Sequence, residues 1–357
     1  MNKLLIVIDG LSKGGAERVT AWLANSFTVR SNYIVFLLVN FHQKNEYMTD
    51  NRIEKIYIDE NVKENSSFNK IKFVNRVIRE KKVDLVVSLG MPQLNCYVAL
   101  CCLKNRVRFI LSERNDPRQY PSNKILRILR WVNFFFASKL VFQTMGAQKY
   151  FSFLGRKKGV IIDNPLAETL PEPYIGKREK TIVNYCRLTS QKNLKLLIDS
   201  FEIVLKKHND YKLLIYGEGE QRQELEDYIH SKKMNGYIII YPFKKNIHEI
   251  ILKATAFVSS SDYEGVSNSM LESMAIGLPC ICTDCPPGGS REFITNRENG
   301  ILVPVGNKDK LAEAICDVID DENLQYKLSI NAVKVRQRLR PEKIFNEWDC
   351  LISSLIK

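Results

Sequence analysis

No run of about 18 uncharged apolar residues occurs in the 357-residue chain, which argues against a membrane-crossing helix. The opening MNKLLIVIDG is interrupted by Asp9 after too short an apolar stretch for a secretory signal. It reads as a first strand, and the expected location is the cytoplasm. Nine cysteines without an export signal point to reduced thiols rather than a disulfide framework. Cys280, Cys282 and Cys285 cluster, but no histidine stands near them; alternate residues on a buried strand account for them more simply than zinc. No nucleic-acid-binding motif occurs.

What is present supports large cores. Hydrophobic residues make up 45% of the chain and aromatics 10%, and the length suits two domains. The net charge of +13 is placed unevenly, with 27 Lys and Arg against 14 Asp and Glu in residues 1–170 and 26 of each in residues 171–357. The whole excess lies in the first half. It calls for an anionic partner there: a membrane surface, a pyrophosphate-bearing molecule or nucleic acid.

Strand-like apolar runs at 4–9, 34–39, 83–89 and 106–113 alternate with helical periodicity at 16–26 and 69–82, and a similar rhythm continues from 181 to 319. Such alternation predicts doubly wound parallel sheets, whose ligands lie at the carboxyl ends of strands. The stretch 254–293 is the richest. It reads as an apolar strand, a loop with Glu264 and Gly265, a helix over 267–276, and a second buried strand over 279–283. The backbone amides of Val266, Ser267, Asn268, Ser269 and Met270 at the helix start suit a phosphate. A carboxylate beside them suits hydroxyls instead, so Glu264 is read as a sugar ligand and Glu272 as a grip on a vicinal diol such as ribose. Phosphate, sugar and ribose together make a sugar nucleotide.

Glu264 and Glu272 with seven residues between them, then Ala275, Gly277 and Pro279, resemble the E-x7-E signature of retaining GT-B glycosyltransferases. CPPGGSREFI after them resembles the subset that builds O-antigen, capsule and lipid-linked oligosaccharides. The resemblance implies two Rossmann-like α/β domains facing across a cleft: an acceptor domain at 1–166, a linker at 167–180, a nucleotide-sugar domain at 181–340, and a terminal helix at 341–357 that returns to the first domain. It implies that Arg187 and Lys192, in a loop like G-R-L-x-x-x-K with Cys186 for its glycine, hold the donor diphosphate. Gly217 would lie near the base. Phe243, where the family often has glycine, would stack on uracil or pack beside it. Gly14, Gly15 and Glu17 would border the cleft, as would Arg114 and Asn115 in a loop where relatives often carry histidine.

The segment from Lys124 to Leu140 puts Lys124, Arg127 and Arg130 at a spacing of three beside apolar residues. This is the pattern of a helix in an anionic membrane interface with Trp131 and Phe134 to Phe136 available for insertion; the bland alternative is that the phenylalanines are core.

The expected function is transfer of a hexose or N-acetylhexosamine from a UDP-sugar to a lipid-linked, polyprenyl pyrophosphate-borne glycan in bacterial surface polysaccharide synthesis. Retention of configuration is expected, at the inner face of the cell membrane. No D-x-D motif occurs, so Arg187 and Lys192 would balance the diphosphate without metal or other cofactor. The rival readings are a UDP-sugar epimerase of the same fold and a basic nucleic-acid-binding protein.

Overall fold

The computed structural model describes residues 1–12, 14–31, 33–64 and 66–356. The chain forms two units, Met1–Pro165 with Glu342–Lys357, and Leu166–Pro341. In the first, strands β1 (Asn2–Ile8), β2 (Tyr33–Val39), β3 (Glu54–Tyr57), β4 (Leu85–Ser88), β5 (Arg108–Glu113), β6 (Lys139–Phe142) and β7 (Gly159–Ile161) form one sheet in the order β3-β2-β1-β4-β5-β6-β7. Every pairing is parallel, with Ile6 opposite Leu37 on one side and Val87 on the other.

The continuous apolar run of β1 is what a sheet covered on both faces requires. Successive side chains point to opposite faces. Leu5 and Val7 accordingly join one core, with Phe73, Val98 and Phe109, while Leu4, Ile6 and Ile8 join another, with Leu23, Phe27 and Trp348. The second core is completed by the helix Pro341–Ser353, whose Ile344, Phe345, Trp348 and Ile352 repeat at helical spacing and are buried against the first sheet. The last helix of the sequence therefore belongs to the first unit.

In the second unit β8 (Glu179–Tyr185), β9 (Lys212–Tyr216), β10 (Ile238–Tyr241), β11 (Ala254–Ser259), β12 (Cys280–Thr283) and β13 (Ile301–Val303) form a parallel sheet in the order β10-β9-β8-β11-β12-β13. Cys280 and Cys282 point into one core and Ile281 into the other, the alternation of a buried strand. Burial pushes both thiols up.

The segment expected to be a linker, 167–180, is packed onto this second unit. The Leu166 amide donates to Leu339 O at 3.2 Å and the Tyr174 amide to Ile276 O at 3.1 Å. Arg178 donates to the carbonyls of Tyr174, Leu252, Ala254 and Gly277 and to Ser329 Oγ, all at 3.3 Å or less. One guanidinium thus satisfies four carbonyls from three segments of the chain. Composition marks proline and glycine as loop-forming, but says nothing of where a loop lies.

Candidate active site

Because all strands of the second unit are parallel, their carboxyl ends share one edge. From β8 the chain winds outward through β9 to β10, then returns to begin β11 on the other side of β8 and winds outward again. The loops leaving β8 and β11 diverge at this switch point and leave a crevice, where doubly wound sheets bind ligands. Arg187 and Lys192 follow β8, and Glu264 follows β11.

The two loops are stitched together. Lys192 Nζ pairs with the Glu264 carboxylate, 72 residues away in sequence. Ser261 Oγ donates to Glu264 Oε2 at 3.4 Å, Ser260 Oγ to Lys192 O at 2.9 Å, and Gln191 Nε2 to Tyr263 O at 2.9 Å. Burial disfavours the Lys192 charge, but the adjacent Glu264 carboxylate outweighs it and the ammonium is held above its usual value. Arg187 is exposed at the same loop. Cys186 has its thiol pushed up to about 12 by burial, so it offers no thiolate.

Close backbone packing fixes these loops. A Cβ on Gly217 would lie 1.9 Å from Cys186 O, and one on Gly219 would lie 2.2 Å from Leu188 O. The turn after β9 therefore needs glycine to lie against the Arg187 loop. A Cβ on Gly289 would lie 1.5 Å from Gly265 O, and the Glu264 amide donates to Pro286 O at 2.9 Å. The segment after β12 thus holds the Glu264 backbone from the other side.

The helix Asn268–Ala275 begins at the expected place, capped by Ser267. Ser267 Oγ accepts from the Met270 amide at 3.4 Å, so that amide is already engaged and is removed from the expected phosphate array. The side chains of Val266 and Met270 are buried in the core, leaving only backbone groups there to meet a ligand. Glu272 is buried, and its Oε2 lies 3.0 Å from His248 Nε2. The two glutamates therefore have different partners, a lysine for Glu264 and a histidine for Glu272. His248, on the short helix Ile247–Ile251, and Tyr185, whose Oη donates to Ser269 O at 2.7 Å, were not singled out in the sequence. No spacing signal links His248 to a residue 24 positions later. Phe243, after β10, is 54% exposed. Among the described residues, no group of three or more His, Cys, Asp or Glu side chains is placed to hold a metal ion.

The first unit has its own switch point, between β1 and β4. Gly14 precedes the helix Gly15–Arg30, where a Cβ would meet Glu17 Oε2 at 1.9 Å. Arg114 donates through Nη2 to Asn164 Oδ1, which also accepts from Gln143 Nε2 at 2.6 Å. Burial lowers the Arg114 guanidinium to about 10, while the charge of Glu17 works the other way. Gly14, Gly15, Glu17 and Arg114 therefore gather at one edge of the first unit. Asn115 instead turns onto its own loop, its Oδ1 accepting from the Asp116 amide at 2.8 Å. Asp9 was not anticipated: its carboxylate accepts from the Met91 amide at 2.5 Å and from Asn40 Nδ2 at 3.2 Å, and burial raises it.

The basic stripe read on the helix Lys124–Phe136 is corrected. Arg130 is 2% exposed, donating to Glu113 Oε2 at 3.0 Å and to the carbonyls of Tyr120 and Pro117 at 2.6 and 2.7 Å. Arg127 donates to Pro121 O at 2.6 Å and Gln119 O at 3.2 Å. Both cations turn inward because the loop 117–121 presents bare carbonyls that lack strand partners. Lys124 stays exposed, Trp131 lies at the boundary with its ring 4.9 Å from that of Phe151, and Phe134 is core.

The family model described as "Glycosyl transferases group 1" matches residues 168–335, nearly the whole second unit. The chain is a glycosyltransferase whose second unit is similar to group 1. This glycosyltransferase is 25% identical over 365 residues to the GalNAc-alpha-(1->4)-GalNAc-alpha-(1->3)-diNAcBac-PP-undecaprenol alpha-1,4-N-acetyl-D-galactosaminyltransferase of Campylobacter jejuni, covering 99% of both chains. It is 26% identical over 361 residues to the amylovoran biosynthesis glycosyltransferase AmsD of Erwinia amylovora, covering 99% of this chain and 100% of the other. In fold it is similar to Anabaena Alr3699/HepE, whose structure holds UDP and glucose, with a TM-score of 0.85 at 16% identity over 99% of this chain and 100% of that one. The enzyme has the GT-B fold.

Proposed function

We propose that this glycosyltransferase moves a hexose or N-acetylhexosamine from a UDP-sugar to a hydroxyl of a lipid-linked glycan, with retention of configuration, in bacterial surface polysaccharide synthesis. The observation that carries the reading is the pairing of Lys192 with Glu264 at the switch point beside exposed Arg187. A cation and a carboxylate held side by side suit a donor whose diphosphate and sugar are adjacent. Arg187 and Lys192 stabilise the charge that grows on the diphosphate as the glycosidic bond breaks, without a metal. Glu264 accepts hydrogen bonds from the sugar hydroxyls, and Glu272, braced by His248, accepts from the ribose. The departing phosphate oxygen takes the proton of the acceptor hydroxyl as that oxygen bonds to the anomeric carbon on the same face, so no separate protein base is required. UDP in a structure of the same fold and an undecaprenol-linked acceptor in the name of one relative support the two substrate classes. The reading places the reaction at the cytoplasmic face of the membrane.

The test is Glu264→Gln measured at saturating UDP-sugar. Turnover falls by about a hundredfold, the loss of one interaction made in the transition state; unchanged turnover removes Glu264 from this role. Nucleotide release across a panel of UDP-hexoses and UDP-N-acetylhexosamines identifies the donor, and activity unchanged by EDTA is expected. Conversion of the donor to an isomeric nucleotide sugar without acceptor would replace transfer with epimerisation.

A further inference from the structure

Turning Arg127 and Arg130 inward leaves the outer face of the helix Lys124–Phe136 without the charge expected there. Ile125, Ile128, Val132, Phe135 and Phe136 recur at helical spacing on that face, and Ile125, Ile128 and Phe135 are 68%, 65% and 59% exposed. This is a continuous stripe, whereas scattered single exposures would need no explanation. The neighbouring helix Ser152–Lys158 extends it: Phe153 is 58% exposed, and Lys158 Nζ lies 5.7 Å from the centre of the Phe135 ring and donates to Ala137 O at 2.8 Å.

The charge around the stripe decides what covers it. Between Asp116 and Asp163 there is no acidic residue, and there are nine Lys and Arg. Arg130 is buried and paired with Glu113, but Lys124, Lys149, Arg156 and Lys157 are exposed. A second copy of the same face would set these cations against one another. An anionic bilayer offers both complements at once, an apolar interior for the stripe and negative headgroups for its rim.

We propose that this face seats the protein on an anionic lipid bilayer, with the stripe from Ile125 to Phe136 entering the boundary between headgroups and acyl chains. Lys149, Arg156 and Lys157 then lie level with the headgroups. Arg127 and Arg130 hold the helix in place and do not touch lipid. The proposal rests on the lipid-linked acceptor reading only for its purpose: it involves no donor residue, and binding to vesicles can be measured without turnover.

The experiment is co-sedimentation of the full chain with vesicles of equal parts phosphatidylglycerol and phosphatidylcholine, against vesicles of phosphatidylcholine alone. Binding to the anionic vesicles is expected, weakened by added salt. The double variant Ile128→Glu with Phe135→Glu should bind at least about tenfold more weakly, since two apolar anchors become anions. Lys149→Glu with Lys157→Glu should also lose about tenfold or more and show a shallower salt dependence. Both variants keep the wild-type melting temperature and UDP affinity, because the changed side chains are exposed and lie in the other unit from the donor residues. Absence of wild-type binding to anionic vesicles overturns the proposal, as does binding undiminished in both variants. A wild-type dimer in sedimentation that Ile128→Glu with Phe135→Glu converts to monomer would make a second copy the occupant. Failure on vesicles with sugar transfer intact would leave the transferase reading standing.

Discussion

The first unit carries the whole net charge of the protein, yet its inward arginines are engaged within the unit; the second unit is nearly neutral, yet presents its cations at the switch point. Arg114, Arg127 and Arg130 each donate to carbonyls or side chains of their own unit. Arg187 is exposed, and Lys192 shares a loop crevice with a single carboxylate. A charge count therefore measures what a surface attracts at long range, while the chemistry depends on which charges backbone carbonyls have not already claimed.

The two units should unfold and bind ligand independently. Trp348→Ala empties a buried site beside Phe27 and Phe345 and should cost about 3–5 kcal/mol. Thermal unfolding should lose stability in the first unit while calorimetric UDP binding to the second persists; loss of both together would mean the units share one stability. Next comes the cation that matters most. Lys192→Ala should lower kcat/KM for sugar transfer by about a hundred- to a thousandfold, whereas Arg114→Ala should lower it by about tenfold, one hydrogen bond to a charged group. Equal losses in steady-state assays would erase the contrast.

His248→Gln should weaken UDP binding by about tenfold, with kcat little changed, because Glu272 loses a brace while no reacting group is touched. A fall in kcat alone would place the histidine elsewhere in the cycle. The smallest effect concerns Glu113, whose carboxyl burial pushes to about 7 from 4.5 although Arg130 opposes it. Between those values the folded state holds a proton that the unfolded chain has released. Stability drawn from this group is therefore present at low pH and falls as pH rises from about 4.5 to about 7. Chemical unfolding of the first unit across that window should show the decline, and Glu113→Gln should flatten it.

Much of the fold was legible because buried parallel strands and amphipathic helices print their periods. The expected helix at 69–82 is Ser67–Lys81, and the expected strand at 34–39 is Tyr33–Val39. The helix Pro92–Asn105 left no such print, since Leu94, Cys96, Val98, Cys101 and Cys102 are buried on several sides and no polar stripe marks it. The edge strand Glu54–Tyr57 is short and half-exposed, with no alternation to read.

The alternation of strands and helices, the carboxyl-end loops in which Arg187, Lys192 and Glu264 fall, and the helix that bears Glu272 were written in the chain. All of these follow from local periods and spacing. Only the tertiary structure decided partners: Lys192 with Glu264 at 72 residues' separation, Glu272 with His248 at 24, and Arg130 with Glu113 at 17. It also decided that the apolar face of the helix Lys124–Phe136, rather than its arginines, meets the outside. The physical reason is that buried hydrogen-bonding groups must be satisfied by whatever the topology brings near, and topology is not a local property of the chain.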